Sequence, residues 1–256
     1  MSKNSARAGL GLQASYTYSK SIDDTSAVLG GLLGNSGTIL QTVPQNPWDP
    51  SAEKGPSTFD VTHAFNVSVI QLLWLDRVGL FRPVPMLLTK GWQVLNITTL
   101  TTGSPFSVYS GIQQTGVGVG GADRPDLVSM PHFSTSRPVR DDYFGMGVNN
   151  ASFFDIPINL PGGTGPNSGV FGTLGRNTFR GPGYHDLDFA VIKDTPFGHR
   201  GSAELGTVEF RAEFFNLFNI VNFSLPQNIV RGSGFGIISK TAGTSRQIQF
   251  SLKLIY

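Results

Sequence analysis

The sequence predicts an all-β fold, an antiparallel transmembrane β-barrel segment: a partial barrel of about six to eight strands with long extracellular loops. Apolar and polar residues alternate in segments of roughly 9–11 residues, which is the length of a tilted membrane strand. No run of about 18 or more apolar residues occurs in the chain, so no membrane helix is expected. The connections between the segments are alternately long and short, as in outer-membrane barrels.

The composition excludes several classes of function. Lysine and arginine total 19 and aspartate and glutamate 17, so the net charge is only +2 and no basic run suggests a nucleic-acid partner. The chain has no cysteine, which excludes disulfides, thiolate metal sites and a cysteine nucleophile. The polar N-terminus is not followed by an apolar core, so it is not expected to be a signal peptide.

The first predicted strand covers residues 10–19 and has one apolar face. That face consists of Leu10, Leu12, Ala14, Tyr16 and Tyr18, and the residues between them are small and polar. Residues 59–73 and 91–102 are the next two candidate strands. Their facing stays open, because apolar residues such as Val94 and Leu95 are adjacent there.

Two later segments, 184–194 and 205–216, set apolar residues against a stripe of charged ones. The predicted lumen-facing polar stripe consists of Asp186, Asp188, Glu209, Arg211 and Glu213. The stripe has a functional interpretation, in which it contacts substrate, and a structural one. We favour the structural one, in which Arg211 is neutralised between two carboxylates and their cross-strand neighbours.

The last predicted strand, 247–256, repeats the alternation up to the final residue. About 39, 17, 81, 10 and 29 residues connect the six candidate strands in order. Short connections of outer-membrane barrels are periplasmic and long ones extracellular. Residues 20–58 and 103–183 are therefore predicted to be external and to contain the determinants of specificity. A further hairpin near residues 106–109 and 143–154 remains an alternative within the longest connection.

Several short motifs occur in a fixed order along most of the chain. They are residues 59–65 (FDVTHAF), 91–94 (GWQV), 102–106 (TGSPF), 123–127 (DRPDL), 175–177 (GRN), 180–184 (RGPGY), 210–219 (FRAEFFNLFN) with Asn222, Phe223 and Pro226, and 246–250 (RQIQF). This series resembles the barrel of TonB-dependent outer-membrane receptors, particularly the Oar-like group with a carboxypeptidase-regulatory-like N-terminal domain.

The resemblance implies a location in the outer membrane of a Gram-negative bacterium and energy-coupled uptake or handling of an unidentified ligand. Such receptors are similar to barrels of about 22 strands with a plugged lumen. Residues 1–256 are accordingly expected to be a C-terminal portion, without the signal peptide, the plug domain and the N-terminal strands. The implied partners are outer-membrane lipid, the missing barrel and plug of the same parent protein, and a TonB-type energy transducer acting through the plug.

The end of the chain resembles the signal by which the barrel-assembly machinery recognises its clients. The residues concerned are Phe250, Leu252, Leu254 and Tyr256. A terminal strand with an apolar face offers an unpaired edge for strand addition, and its final ring suits the membrane interface. An ordinary C-terminal strand is the alternative.

No enzyme, metal or cofactor is predicted. Residues 116–121 formally fit a dinucleotide-binding pattern, but they lack the strand before and the helix after that such a site needs. The histidines His63, His132, His185 and His199 have no metal-ligand spacing. Two alternatives to transport remain, a non-transporting outer-membrane adhesin or surface barrel and a soluble glycan-binding β-protein.

Overall fold

The computed structural model describes residues 2–5, 9–26, 44–112, 114–115, 123–131, 140–144, 152–156, 170–200 and 203–256. Its strands, in chain order, are β1 (Ser2–Ser5), β2 (Leu10–Tyr18), β3 (Ile22–Asp23), β4 (Gly55–Pro56), β5 (His63–Leu73), β6 (Trp92–Thr101), β7 (Pro105–Phe106), β8 (Asp126–Leu127), β9 (Phe154–Asp155), β10 (Phe179–Arg180), β11 (Tyr184–Arg200), β12 (Ala203–Phe215) and β13 (Gln247–Ile255). One α-helical turn, α1 (Met86–Thr89), and three 3-10 turns, Pro50–Glu53, Leu75–Arg77 and Gly79–Phe81, complete the described elements.

Seven of these strands form one antiparallel sheet in the order β1-β2-β5-β6-β11-β12-β13. Each strand pairs with the next long strand in the sequence, so the sheet is an uninterrupted meander. In the described residues β1 and β13 are the two edges and do not pair with each other. The sheet is therefore an open, partial barrel, as predicted.

All six predicted strands are present, and two boundaries were wrong. The strand predicted from residue 59 begins at His63. The segment predicted to end at Asp194 continues to Arg200, so only residues 201–202 separate β11 from β12 in place of the expected ten or so. Pro196 and Gly198 resemble strand breakers in the sequence. Pro196 lies beyond Lys193, the last residue of β11 that pairs with β6, so β11 has one neighbouring strand there and tolerates a missing donor.

The register settles the facing that the sequence left open. Directly opposed residues of antiparallel strands share a face, and Phe65 lies opposite Tyr16 on one side and Leu100 on the other. One face of the sheet is thereby mainly apolar from β2 to β13, although Asn96, Thr98 and Lys193 also belong to it. Its apolar members include Leu12, Tyr16, Phe65, Val67, Val69, Val94, Leu100, Phe189, Val191, Val208, Phe210, Phe214, Phe250, Leu252 and Leu254.

The apolar face has no second layer over it in the described part of the chain. Phe250 is 67% exposed and Leu252 is 73% exposed. Every extensive contact between strands joins neighbours in the sheet. None of the described helices is long and apolar enough to cross a membrane. The sheet therefore presents a large exposed hydrophobic surface, whose contact with water is energetically unfavourable.

The hydrophobic core lies in the long connections instead of beneath the sheet. Its buried members are Phe106, Val108, Phe144, Phe153, Phe154, Leu174, Phe179, Val230 and Phe235. Phe144 is central, because its ring stacks on Phe235 at 4.9 Å between centroids and meets Phe154 and Phe179 edge-on at 5.7 Å. Among the described residues the suggested extra hairpin is not formed, since Phe106 pairs with Phe179 and Phe154 pairs with Leu127.

A charge on the apolar face should destabilise the barrel far more than the same charge on the polar face. Phe250→Arg is expected to cost about 2–4 kcal/mol near the bilayer midplane. Gln249→Arg is the matched control, because Gln249 lies next to it on the other face, opposite Glu213. Urea titration of the full-length protein in lipid measures both changes. Equal destabilisation by the two variants would contradict the assigned facing.

Candidate functional site

The long connections fold into one structure, which we call the loop cap: the described residues within 19–62, 102–183 and 216–246. Three two-stranded ribbons hold it together, β3 with β4, β7 with β10 and β8 with β9. A parallel bridge between Tyr109 and Ile229 and an antiparallel one between Phe223 and Thr241 add the last connection. The cap lies at the end of the sheet where the long connections emerge.

Arg124 is the central ionic contact of the cap. Its guanidinium donates to both carboxylate oxygens of Glu53, at 3.0 and 2.8 Å. It also donates to the carbonyl oxygens of Leu174 and Ala52, at 2.8 and 3.0 Å. The two charged side chains are only 3% and 5% exposed. Arg124 thus joins two connections that lie about seventy residues apart in the sequence.

Gln45 closes the same network from the other side. Its backbone N–H donates to Glu53 at 2.9 Å, and its side-chain oxygen accepts from the Arg124 backbone N–H at 2.9 Å. Its side-chain nitrogen donates to the Gly172 carbonyl at 2.9 Å. Gly172 also fits closely, because a Cβ there would lie 2.0 Å from the Arg124 carbonyl oxygen. Only glycine permits that approach.

Arg176 is a second buried cation with a similar role. Its Nε donates to the Glu53 carbonyl at 2.6 Å, its Nη1 to Ser26 at 3.0 Å, and its Nη2 pairs with the Asp23 carboxylate. The neighbouring Asn177 has a φ of 53° and is held on both sides. It donates to the Pro56 carbonyl at 2.7 Å, and its backbone N–H donates to the Ser107 hydroxyl at 2.9 Å.

Arg180 makes the third ion pair, with the fully buried carboxylate of Asp60. It also donates to the Gly103 carbonyl at 3.2 Å, and Asp60 accepts the Ser21 N–H at 2.7 Å. The Arg180 carbonyl in turn accepts from the Tyr143 hydroxyl, and burial raises the pKa of Tyr143 to about 12. The start of the cap is thereby fixed to its aromatic core.

The contacts with Arg176 and Arg180 lower the pKa of two aspartates in the cap, Asp23 and Asp60. Burial by itself would raise the pKa of Asp23, but hydrogen bonds from Ser57, Arg176 and Ser26 and the Arg176 charge outweigh it, and the pKa falls below 3.8. Burial likewise opposes ionisation of Asp60, and its hydrogen bonds with Arg180 and Ser21 lower its pKa below 3.8. Both carboxylates are therefore ionised in the folded cap at neutral pH.

The predicted polar stripe lies on the face opposite the apolar one. Arg211 is paired with Glu209 at 3.4 Å and with Glu213 at 3.3 Å, so its positive charge is neutralised between two carboxylates of the same strand. Asp194 and Lys253 lie opposite Glu209 on the two neighbouring strands. This geometry agrees with the structural interpretation of the stripe. That the stripe faces a lumen stays a prediction.

Asp188 has a different partner from the rest of the stripe. Its carboxylate accepts the backbone N–H of Asn216 at 3.0 Å, where the chain turns out of β12 with a φ of 50°. The Asn216 side chain then holds the turn, because it accepts from the Ile220 N–H at 2.8 Å and donates to the Thr244 carbonyl at 3.1 Å. This end of the 210–219 motif is thus a turn that side-chain hydrogen bonds hold in place.

A cavity of about 180 Å³ opens where the polar face meets the cap. Asp186 and Asp188 line it from β11, and the other polar lining residues are Tyr184, Asn216, Asn222, Thr244 and Gln247. Such a lining offers carboxylate, amide and hydroxyl oxygens to a solute that donates hydrogen bonds. Within the described residues no three histidine, aspartate or glutamate side chains are grouped as a metal would need.

The remaining predicted residues are placed as follows. Phe250, Leu252 and Leu254 lie exposed on the apolar face of β13, and Tyr256 follows the strand with its side chain free. The His63 Nδ1 atom and the Tyr16 hydroxyl share a hydrogen bond of 2.8 Å. His132 and the glycine-rich residues 116–121 lie outside the described residues. The role of the C-terminal residues in assembly stays a prediction.

Sequence reasoning did not single out the arginine network of the cap. The residues missed are Asp23, Glu53, Asp60, Arg124, Arg176 and Arg180. A signal was present, because four of them belong to the ordered motifs at residues 59–65, 123–127, 175–177 and 180–184. Charged residues inside glycine-rich loops have no periodicity that would reveal their partners.

Comparison with known proteins gives one match. A family model described as an outer membrane beta barrel domain matches residues 2–249, which is nearly the whole chain. No curated protein and no solved structure matches the chain.

Removal of the Arg124 side-chain charge should open the cap without unfolding the sheet. Arg124→Gln leaves Glu53 buried without its cation, which typically costs about 3–5 kcal/mol. Arg140→Gln is the control, because Arg140 is 68% exposed and its contact with Asp141 is 3.7 Å long. The measurement is protease cleavage of the surface loops on intact cells, with heat-modifiability as the check on the barrel. Equal cleavage of both variants would contradict this role.

The cap should also loosen in acid. The unfolded aspartates bind protons near pH 3.8, whereas the folded Asp23 and Asp60 do so at lower pH. Their contribution is therefore complete above about pH 4 and is lost as the pH falls through the folded pKa values. Pepsin cleavage of surface loops between about pH 5 and about pH 2 measures it. Asp23→Asn with Asp60→Asn should flatten the profile, and an unchanged profile would contradict the assignment.

Proposed function

Because the chain belongs to the outer membrane β-barrel domain family and lies in the outer membrane of a Gram-negative bacterium, we propose that it forms part of the barrel wall of a TonB-dependent receptor. Its role is energy-coupled uptake or handling of a ligand. In the parent protein a scarce ligand binds at the external loops, and a plug in the lumen then rearranges under a force transmitted from the inner membrane.

The observation that carries this proposal is the open sheet. Its seven strands leave one edge of β1 and one edge of β13 without partners in the described residues. Backbone groups cannot stay unpaired in lipid, so other strands must complete the wall. Further strands of the same parent protein satisfy this need, and large receptor barrels of about 22 strands supply enough of them.

The ordered motifs give the proposal its second support. The motifs resemble those of the Oar-like receptors, and Asp60, Arg124, Arg176 and Arg180 within them make the buried contacts of the cap. Buried ion pairs fix the loops of the cap before any ligand binds. A preformed surface loses less conformational entropy on binding, which lowers the free-energy cost of ligand capture. The ligand therefore binds on the cap, and the chain itself performs no catalysis.

The polar face supplies the contact with the plug in this proposal. Glu209 and Glu213 flank Arg211, so the group presents both signs of charge and suits a plug surface that does the same. Asp186 and Asp188 line the cavity beneath the cap. In the proposed receptor this cavity lies on the path from the outer surface to the lumen. The solute that passes there donates hydrogen bonds or is cationic.

A non-transporting adhesin or surface barrel is the second candidate. The large exposed side chains of the cap, such as Trp48, Phe59 and Met130, favour it, because they suit contact with another surface. A soluble glycan-binding protein is not proposed, since it leaves the apolar face of the sheet without a role. The presence or absence of a plug domain in the full-length protein distinguishes transport from adhesion, because only transport needs a plug.

The transport proposal predicts a physical contact with the energy transducer. Detergent-solubilised full-length protein should be retained by the immobilised periplasmic domain of the organism's TonB-type transducer. Retention should disappear when the plug region is deleted, which is the control for non-specific binding. A full-length protein with no plug and no retention would contradict transport and favour the adhesin.

Assembly should depend on the final aromatic residue. Tyr256→Asp removes the ring that suits the membrane interface and adds a charge to the end of β13, so the fraction of heat-modifiable barrel should fall. Lys253→Gln is the control, because Lys253 lies on the polar face of the same strand. Quantitative gel analysis of outer membranes measures both variants. Normal assembly of Tyr256→Asp would contradict the assembly signal.

A further inference from the structure

We propose that the connection between β5 and β6, residues 74–91, is a lipid-seated segment that binds anionic phospholipid headgroups at the periplasmic surface of the outer membrane. The inference rests on the family membership of the chain and is independent of any transport activity. The connection joins strand ends opposite the loop cap, which is the periplasmic end of an outer-membrane barrel. Periplasmic turns are usually short, so an elaborated one needs an explanation.

The segment exposes more large apolar side chains than a turn in water should. Leu80 is 79% exposed and Leu87 is 59% exposed, and the other exposed ones are Val78, Met86 and Leu88. They lie on or directly before two short turns, Gly79–Phe81 and α1, in which Thr89 is the only buried residue. Large apolar side chains exposed together on one short segment mark a contact surface.

The segment lies next to the apolar face of the sheet. Trp92 is the first residue of β6 and belongs to that face, opposite Leu73 and Lys193. Its indole N–H donates to the Leu88 carbonyl at 2.7 Å, so α1 is attached to the lipid-facing side. The exposed leucines of α1 thus continue a surface that already contacts lipid, and the same membrane covers both.

The charges of the segment suit anionic headgroups. It contains three cations, Arg77, Arg82 and Lys90, and a single acid, Asp76. Arg77, Arg82 and Lys90 are all exposed. Basic residues at a membrane surface attract anionic lipids, and the aromatic rings of tryptophans lie at the headgroup level. Arg77 stacks over Trp74 at 5.1 Å, which places a cation and an interfacial ring together.

The arrangement of apolar and cationic side chains in this segment favours lipid over a protein partner. A protein interface concentrates its large apolar residues at a centre with charges depleted there. Here the apolar residues of α1 are flanked on both sides by cations, the arrangement of an interfacial amphipathic segment. The segment also adjoins a face that is already in the bilayer, so it reaches headgroups without any rearrangement of the sheet.

The test measures whether Leu87 touches lipid. The full-length protein, with any native cysteine outside this cysteine-free chain changed to serine, is labelled with an environment-sensitive fluorophore at Leu87→Cys. Met130→Cys is the matched control, because its side chain is also 59% exposed but lies in the cap. Leu80→Cys replaces Leu87→Cys if the latter does not give heat-modifiable barrel. The vesicles contain phosphatidylethanolamine and phosphatidylglycerol, with brominated acyl chains on one lipid at a time.

Brominated lipid should quench the label at Leu87 several-fold more than the label at Met130. Brominated phosphatidylglycerol should quench it about twofold or more above brominated phosphatidylethanolamine at equal fraction. Arg82→Gln with Lys90→Gln should abolish that preference, whereas Arg231→Gln, a cation of the cap, should not. Quenching at Leu87 no greater than at Met130 would overturn the proposal. Protection of Leu87 from aqueous maleimide without quenching would indicate a protein neighbour and would overturn it as well.

Discussion

Backbone hydrogen bonding in a solvent that offers no partners is the constraint on which the rest of this structure depends. In lipid every N–H and C=O must be paired within protein, and an antiparallel ladder achieves this for every strand that has two neighbours. The order from β1 to β13 leaves only the two outer edges open in the described residues. Lipid then covers the apolar face, so the sheet needs no second layer, and the part of the chain that the structure describes places none over it.

The loop cap is stabilised by different physics because it stands in water. Aromatic residues around Phe144 form its core, and guanidinium groups bind the surrounding loops. Arginine suits this role better than lysine, since its planar fork holds several acceptors at once and stays charged. Arg124 and Arg176 both converge on Glu53, one on its carboxylate and one on its carbonyl. The cap is therefore a single body in spite of its glycine-rich sequence.

The polar stripe and the cap network show why one site could be predicted and the other could not. Glu209, Arg211 and Glu213 alternate along one strand, so their common face and mutual pairing follow from the sequence alone. Arg124 and Glu53 lie 71 residues apart on different connections. Asp188 combines both cases, because its facing was predictable while its contact with Asn216 depends on where β12 ends.

The sequence by itself determined the strands, their approximate number and the apolar face of β2, β11, β12 and β13, because side chains alternate along a strand whatever its neighbours are. Tertiary structure decided the facing of β5 and β6, where Ile70, Leu95 and Ile97 place apolar groups on the otherwise polar face. It also decided the length of β11, since pairing with β12 carries the strand past Pro196. The contacts of the loop cap could not be predicted from the sequence. They join loops that are close in space but distant in the chain, and no periodic pattern in the sequence indicates which loops meet.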